Sequence, residues 1–171
     1  MLYSFIDATP LRIAEVHRLA PGILFEHASL PAGHSASSPD PAQRARDHVL
    51  AFTHGACIAE STDLLTMDGR SLRLELDSEN ERRFCRYFRE TPTRLHLCIA
   101  VRRGDGLPVE TYAAICEGTI ADKPAGPDEL GWDRLFVPTG YRETLAQLVE
   151  RGVAAGPRPE AYAAAARAIA T

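Results

Sequence analysis

The sequence predicts an α/β protein in which helices flank a sheet, and three observations support this fold class. Runs at Leu2–Ile6 and Ala56–Ala59 are short and apolar enough to form buried strands. Two longer apolar and β-branched runs follow at Arg94–Arg102 and Val109–Ala121. They are joined by Gly104-Asp105-Gly106, which is typical of a hairpin turn, so a long antiparallel pair is expected at the centre of the sheet. Segments with clear helix-starting signals lie between the strands.

The starting signals of two helices are specific. Thr9 is a good N-cap and Pro10 a good first helical residue, which predicts a helix from Pro10 to about Leu19. Asp40-Pro41 starts a second helix that continues through Phe52. The other expected elements are strands at Ile23–Ala28 and Leu72–Leu76, a charged helix capped by Asp77-Ser78-Glu79 that continues to about Arg89, and helices at Glu143–Arg151 and Pro159–Ala170.

Composition limits the classes of function. A chain of 171 residues is expected to form one domain with a substantial core. Its net charge of −4 argues against broad binding to a phosphate backbone, so no nucleic-acid partner is expected. The four cysteines include no C-x-x-C pair, which favours free thiols in a reducing cytoplasm over a zinc site or disulfides. Neither a leader nor a long apolar run is present, so neither export nor membrane insertion is expected.

The segment Gly131-Trp132-Asp133 combines the residue types that are best suited to binding a ligand. Glycine lets a backbone approach a ligand closely, and a tryptophan offers a flat face for stacking on a base. Asp133 is able to hold a metal, a base edge or a nearby arginine. The alternative is a loop whose Trp132 fills the core.

The whole run Gly131–Leu148, GWDRLFVPTGYRETLAQL, closely resembles the signature of the inosine triphosphate pyrophosphatases, with Arg134 in place of a proline. These enzymes hydrolyse non-standard purine nucleoside triphosphates to the monophosphate and pyrophosphate. The resemblance implies one domain over residues 1–171, with a mixed, twisted sheet, flanking helices and two lobes around a central nucleotide cleft. It also implies a homodimer, a magnesium cofactor and a small-molecule nucleotide substrate.

The beginning of the chain resembles the family motif that grips the triphosphate. That motif falls on Asp7, Ala8, Thr9, Arg12 and Glu15, where Arg12 keeps a positive charge and Glu15 keeps its spacing. The resemblance makes Thr9 and Arg12 candidate substrate contacts. An aspartate at position 7 repels a triphosphate unless a metal lies between them. The alternative is that Arg12 and Glu15 form a solvated helix face.

Glu60 to Leu64 follow a predicted strand, at a position where α/β proteins often place chemistry. The stretch resembles the family's acidic pair, which binds magnesium and activates water. Glu60 is kept, but Ser61 replaces the second aspartate, and a serine hydroxyl is too weakly acidic to act as a comparable base. Asp63 is the candidate replacement. The resemblance therefore implies Glu60 and Asp63 as catalytic residues and as ligands of Mg²⁺.

Two further arginines are candidate substrate contacts by resemblance. Arg44 takes the place of a helix lysine, and Arg158 takes the place of the arginine in the family's C-terminal motif. A surface arginine and a linker arginine are the respective alternatives. The charged helix carries a basic face that is either solvated surface, a lid that closes over nucleotide, or a dimer contact: Arg82, Arg83, Arg86 and Arg89.

The leading hypothesis is a magnesium-dependent nucleotide pyrophosphatase that cleaves a non-standard or modified purine nucleoside triphosphate. A non-catalytic nucleotide-binding or partner protein on the same scaffold is the alternative, as is a hydrolase of a shorter nucleotide. The altered motif positions favour these alternatives: Ala8, Thr9, Ala32, Ser61, Ala125 and Pro157.

Overall fold

The computed structural model describes residues 1–73 and 80–170. The strands are β1 (Leu2–Ile6), β2 (Leu24–Ala28), β3 (Cys57–Thr66), β4 (Pro92–Arg102), β5 (Val109–Ile120) and β6 (Phe136–Pro138). The helices are α1 (Pro10–Leu19), α2 (Pro41–Ala51), α3 (Glu81–Phe88), α4 (Leu145–Glu150) and α5 (Arg158–Ile169), with a 3-10 helix at Asp128–Arg134. Among the described helices, none combines the length and the hydrophobicity that crossing a bilayer requires.

The six strands form one mixed sheet in the order β2-β1-β3-β4-β5-β6. β1 pairs in parallel with β2 and β3, whereas β5 and β6 are antiparallel. The predicted α/β fold class with a mixed sheet is therefore confirmed. The chain divides into two compact units: unit 1 comprises Met1–Thr62, Leu97–Ala114 and Arg158–Thr171, and unit 2 comprises Asp63–His96 and Ile115–Pro157.

Unit 1 has two separate apolar clusters, because successive side chains of a strand point to opposite faces of a sheet. Ile58 of β3 packs in one cluster with Val16 of α1 and Tyr162 of α5. Cys57 and Ala59 pack in the other cluster, together with side chains of α2 such as Val49. By the same alternation, position 60 lies on the face that α1 and α5 cover, and position 61 lies on the α2 face.

Unit 2 is built around the short helices and β6. α3 buries Phe84 and Cys85, and its N-cap is Asn80, whose side chain accepts the Arg83 N–H. α4 begins with a capping box in which Thr144 and Gln147 satisfy each other's backbone N–H groups. α4 also contacts the 3-10 helix Asp128–Arg134.

The prediction that the third strand ends before Glu60 is wrong, because β3 continues to Thr66. Beyond that point the chain turns back, so that Leu72 N donates to Leu64 O over 2.8 Å and Thr66 N donates to Arg70 O over 2.8 Å. These backbone bonds extend the ladder past the polar stretch. The predicted cap Asp77-Ser78-Glu79 and most of the predicted strand Leu72–Leu76 lie outside the described residues.

Candidate functional site

Five polar side chains of unit 1, four of them buried and Glu60 half-buried, form a connected group that we call the Glu60 network: Arg12, Glu15, Glu60, Arg158 and Tyr162. Tyr162 donates its hydroxyl to Glu60 Oε1 over 2.7 Å. Arg158 Nε lies 3.2 Å from Glu60 Oε2 and 3.9 Å from Glu15 Oε2. Arg12 pairs with Glu15 through Nη1, and its Nε lies 3.8 Å from Glu60 Oε2. Two guanidinium groups thus face two carboxylates.

Local sequence explains why these side chains meet. Arg12 and Glu15 are three residues apart on α1, and Arg158 and Tyr162 are four apart on α5, so each pair shares one helix face. Thr9 caps α1 as predicted, with its hydroxyl accepting the Arg12 N–H over 3.3 Å. α1 also contacts α5. Glu60 points to the same side because of the alternation along β3.

The Glu60 network is nearly inaccessible to solvent. The side chains of Arg158 and Glu60 are 3% and 12% exposed. Burial and the neighbouring Glu60 carboxylate raise the pKa of Tyr162 well above its usual value, so this phenol stays protonated and donates. Buried charges are costly unless they are paired, and here two positive and two negative groups balance.

The Tyr162 pKa gives a prediction for alkaline pH. Because the pKa is raised in the folded state, the neutral phenol stabilises the fold fully below about pH 10 and loses that contribution as the pH rises further. We expect Tyr162→Phe to cost about 1 kcal/mol at neutral pH, through loss of the bond to Glu60. Above about pH 10, its free energy of unfolding should fall less than that of the wild type. Urea unfolding across this pH range measures both effects, and Tyr141→Phe at an exposed position is the control.

Arg44, which the sequence predicts to contact substrate, forms hydrogen bonds to several other groups of the protein. It is 2% exposed. Its Nε donates to Ser61 Oγ over 2.9 Å, and its Nη1 donates to the carbonyls of Ser38 and Pro39 over 2.8 Å each. Its Nη2 donates to Thr62 O over 3.1 Å. These bonds tie α2 and the segment before it to β3, which argues against Arg44 as a free phosphate ligand.

Asp63 belongs to unit 2 and is 1% exposed. Ser71 Oγ donates to Asp63 Oδ1 over 2.8 Å. Positions three apart on a regular strand point to opposite faces, so a common metal ion for Glu60 and Asp63 requires a distortion of β3. The catalytic role of Asp63 therefore stays a prediction.

The aromatic turn lies within unit 2, in the 3-10 helix Asp128–Arg134. Gly131 has a φ of 52°, which favours glycine. Trp132 is half-buried, and the Arg73 guanidinium lies 5.9 Å from the centroid of its ring. A cation over an aromatic face is a favourable contact, and it covers one face of the Trp132 ring. Asp133 is 2% exposed, so its carboxylate is buried rather than presented on a loop surface.

Sequence reasoning missed Tyr162 as a site residue. Its hydroxyl completes the Glu60 network, yet it lies in an alanine-rich helix that gives little sign of chemistry. The available signal was its spacing of four residues from Arg158, which places both side chains on one face of α5.

Comparison with known proteins adds a family and a fold. The model of the Ham1 family matches residues 72–162. An inosine triphosphate pyrophosphatase from Scheffersomyces stipitis is 40% identical over 45 residues, which are 26% of this chain and 23% of that protein. The matched stretch therefore spans less than a quarter of that relative.

Three solved structures resemble this chain, and each likeness covers 99% of this chain's length. A HAM1 protein from Coxiella burnetii has a TM-score of 0.71 at 15% identity, over 99% of that chain. The Ham1 protein from Staphylococcus aureus has a TM-score of 0.63 at 15% identity, over 98% of that chain. A nucleoside-triphosphatase, or dITP/XTP pyrophosphatase, from Mycobacterium abscessus has a TM-score of 0.52 at 20% identity, over 96% of that chain. These likenesses show a shared fold.

Proposed function

The chain belongs to the Ham1 family, and on this premise we propose that it is a nucleoside triphosphate pyrophosphatase. Its substrate would be a non-standard or modified purine nucleoside triphosphate, and its products would be the nucleoside monophosphate and pyrophosphate. The names of two similar proteins, inosine triphosphate pyrophosphatase and dITP/XTP pyrophosphatase, support this substrate class.

The observation that carries the proposal is the Glu60 network. Replacing a buried ion pair by apolar packing is often neutral or stabilising, so a fold has little need for four buried charges. Binding of a charged ligand would explain why these charged side chains are present. Arg12 and Arg158 lie within 3.9 Å of carboxylate oxygens. When substrate binds, phosphate oxygens would replace these carboxylate oxygens as partners of the two guanidinium groups. Preorganised guanidinium groups would then stabilise the charge that develops on the leaving pyrophosphate.

Thr9 and the aromatic turn each have a proposed role within their own unit. We propose that Thr9 fixes the beginning of α1 and thereby the position of Arg12. In unit 2, Trp132 would supply a stacking surface for a base once the Arg73 side chain moves, and Asp133 would hold the turn in place. Asp63 remains the proposed base that activates water, because Ser61 carries no carboxylate.

Magnesium fits the carboxylates of the Glu60 network. Arg158 Nε lies 3.2 Å from Glu60 and 3.9 Å from Glu15, so one cationic group already stands between two carboxylates. Among the described residues, no group of three or more His, Cys, Asp or Glu side chains is arranged to hold an ion. Magnesium commonly uses one or two carboxylates and takes its other ligands from phosphates and water. Glu60 and Glu15 would hold it, and when bound it would lower the pKa of a water and offset phosphate charge.

A specific observation favours a second candidate, a nucleotide-binding protein without catalysis. Arg44 donates to the Ser61 hydroxyl, at the position where the family resemblance implies a carboxylate. If the chain is a hydrolase weakened at this point, Ser61→Asp should raise kcat about tenfold or more, since a general base typically contributes at least that much. Ser61→Asn is the matched control without a base. Turnover that is undetectable both in the wild type and in Ser61→Asp, with nucleotide binding retained, favours the second candidate.

We also propose a cytoplasmic location and a homodimer. The four cysteines Cys57, Cys85, Cys98 and Cys116 are free thiols, which suits a reducing compartment. Sedimentation equilibrium of the purified chain tests the oligomeric state, and a single species of 18.7 kDa would contradict the dimer.

The experiment that tests the proposed reaction is product analysis with purified protein and Mg²⁺ across purine and pyrimidine nucleoside mono-, di- and triphosphates. Release of pyrophosphate and monophosphate from a non-standard purine triphosphate is expected. Release of orthophosphate would mean that a different phosphate bond is cleaved. Absence of all products, together with measurable nucleotide binding, would contradict the enzyme proposal.

A further inference from the structure

A second concentration of positive charge lies in unit 2, on the exposed side of α3. Arg82 and Arg86 are four residues apart, and Arg89 follows at the C-cap, so the three side chains lie along one side. Phe84 and Cys85 on the other side are buried. Such a face is common on a solvated helix, and by itself it indicates no ligand.

The second observation is that this face forms one wall of a cavity. The cavity has a volume of about 670 Å³, which lies in the range of small-molecule sites. We call it the basic cavity, and its lining residues are Arg82, Arg86, Tyr87, Arg89, Asp122, Lys123 and Pro124. The segment from Asp122 to Pro124 forms a second wall of the cavity.

Charge within the basic cavity is unbalanced. Among the lining residues that the structure describes, four side chains are cationic and one is anionic. The carboxylate of Asp122 lies 3.7 Å from Arg89 Nε, and this pair is largely exposed. Within residues 1–73 and 80–170, no hydrogen bond or ion pair engages the side chains of Arg82, Arg86 or Lys123. This excess of cations contrasts with the net charge of −4 of the whole chain.

We propose that the basic cavity of unit 2 binds a nucleoside polyphosphate through residues that are not members of the Glu60 network. Arg82, Arg86 and Lys123 would contact the phosphate oxygens, since arginine forks match phosphate geometry. The Tyr87 ring, 82% exposed, would stack on the base. A long nucleic acid fits less well, because the negative net charge of the chain repels a polyanion beyond the cavity.

Isothermal titration calorimetry of the full chain with ADP tests this proposal. The variant Arg82→Gln/Arg86→Gln should weaken one class of ADP site about tenfold or more, the loss expected when charge-assisted phosphate contacts are removed. The control Arg94→Gln/Arg151→Gln removes the same charge elsewhere in unit 2 and should bind ADP as the wild type does. Tyr87→Ala should weaken binding of ADP but not of inorganic pyrophosphate, and Tyr87→Phe should restore it.

The Arg82 and Arg86 side chains are exposed, so their replacement is expected to leave the fold intact, which thermal unfolding checks. If the double variant binds ADP as tightly as its control, the proposal is wrong. It is also wrong if these arginines bind a single-stranded oligonucleotide that ADP does not displace. Hydrolysis is measured separately, by comparing Glu60→Gln with the wild type. Loss of the proposed reaction and loss of ADP binding at the basic cavity are therefore detected by different measurements.

Discussion

Arg158→Gln is expected to lower the free energy of unfolding by about 3 kcal/mol, because removing one member of a buried charge group leaves the others uncompensated. Arg158 is 2% exposed and lies against the carboxylates of Glu60 and Glu15. Without it, the two carboxylates lose a guanidinium that lies 3.2 Å from Glu60 and 3.9 Å from Glu15. If Arg158 has the proposed role toward the leaving pyrophosphate, the same change should also reduce turnover about 100-fold. Urea unfolding and steady-state kinetics measure the two effects.

The control for Arg158 lies on the same helix. Arg167 is exposed near the end of α5, and Arg167→Gln removes the same charge without disturbing the Glu60 network. We expect its stability and turnover to stay close to those of the wild type. Equal stability of the two variants would show that the charges around Glu60 do not depend on Arg158.

Arg44→Gln is expected to destabilise the fold by about 3 kcal/mol and to leave KM nearly unchanged. The loss of stability follows because the carbonyls of Ser38, Pro39 and Thr62 all lose one charged donor, the buried Arg44 guanidinium. KM should stay the same because Nε, Nη1 and Nη2 of Arg44 all donate to protein oxygens that tie α2 and the segment before it to β3. Denaturant unfolding and initial rates over a range of substrate concentrations separate these outcomes.

Arg46 on the same helix gives the matched comparison. It is partly buried and donates to the Val109 carbonyl over 2.9 Å. Arg46→Gln should therefore cost about 1 kcal/mol, the usual value of one hydrogen bond. A large rise in KM for Arg44→Gln, with stability no lower than that of Arg46→Gln, would contradict this expectation and indicate that Arg44 contacts substrate.

Local chemistry was enough to predict most elements, because their ends are set by neighbouring residues. Thr9-Pro10 and Asp40-Pro41 start α1 and α2 as their side chains predict. The error at β3 has a different cause. Polar residues from Glu60 to Asp63 look like a loop, yet distant groups satisfy them inside a strand. The turn signal Asp68-Gly69, with Gly69 at a φ of 89°, marked the true end of the ladder.

The candidate site was predictable only in part. The family resemblance selected Glu60, Arg12 and Arg158, which the structure brings together in unit 1. It selected Arg44 as well, but the partners of an arginine depend on which carbonyls the fold places nearby. Spacing within a helix or strand can be read from sequence, whereas contacts between segments about 100 residues apart depend on the tertiary structure.

The most direct test of the proposed role of the Glu60 network compares Glu60→Gln with Glu117→Gln, an exposed glutamate of β5. Turnover is measured with the triphosphate that the wild type hydrolyses best, and binding is measured by calorimetry on the same samples. We expect Glu60→Gln to lose about 100-fold in kcat while it still binds the nucleotide, and Glu117→Gln to match the wild type. Equal turnover of the two variants would contradict a catalytic function for the Glu60 network.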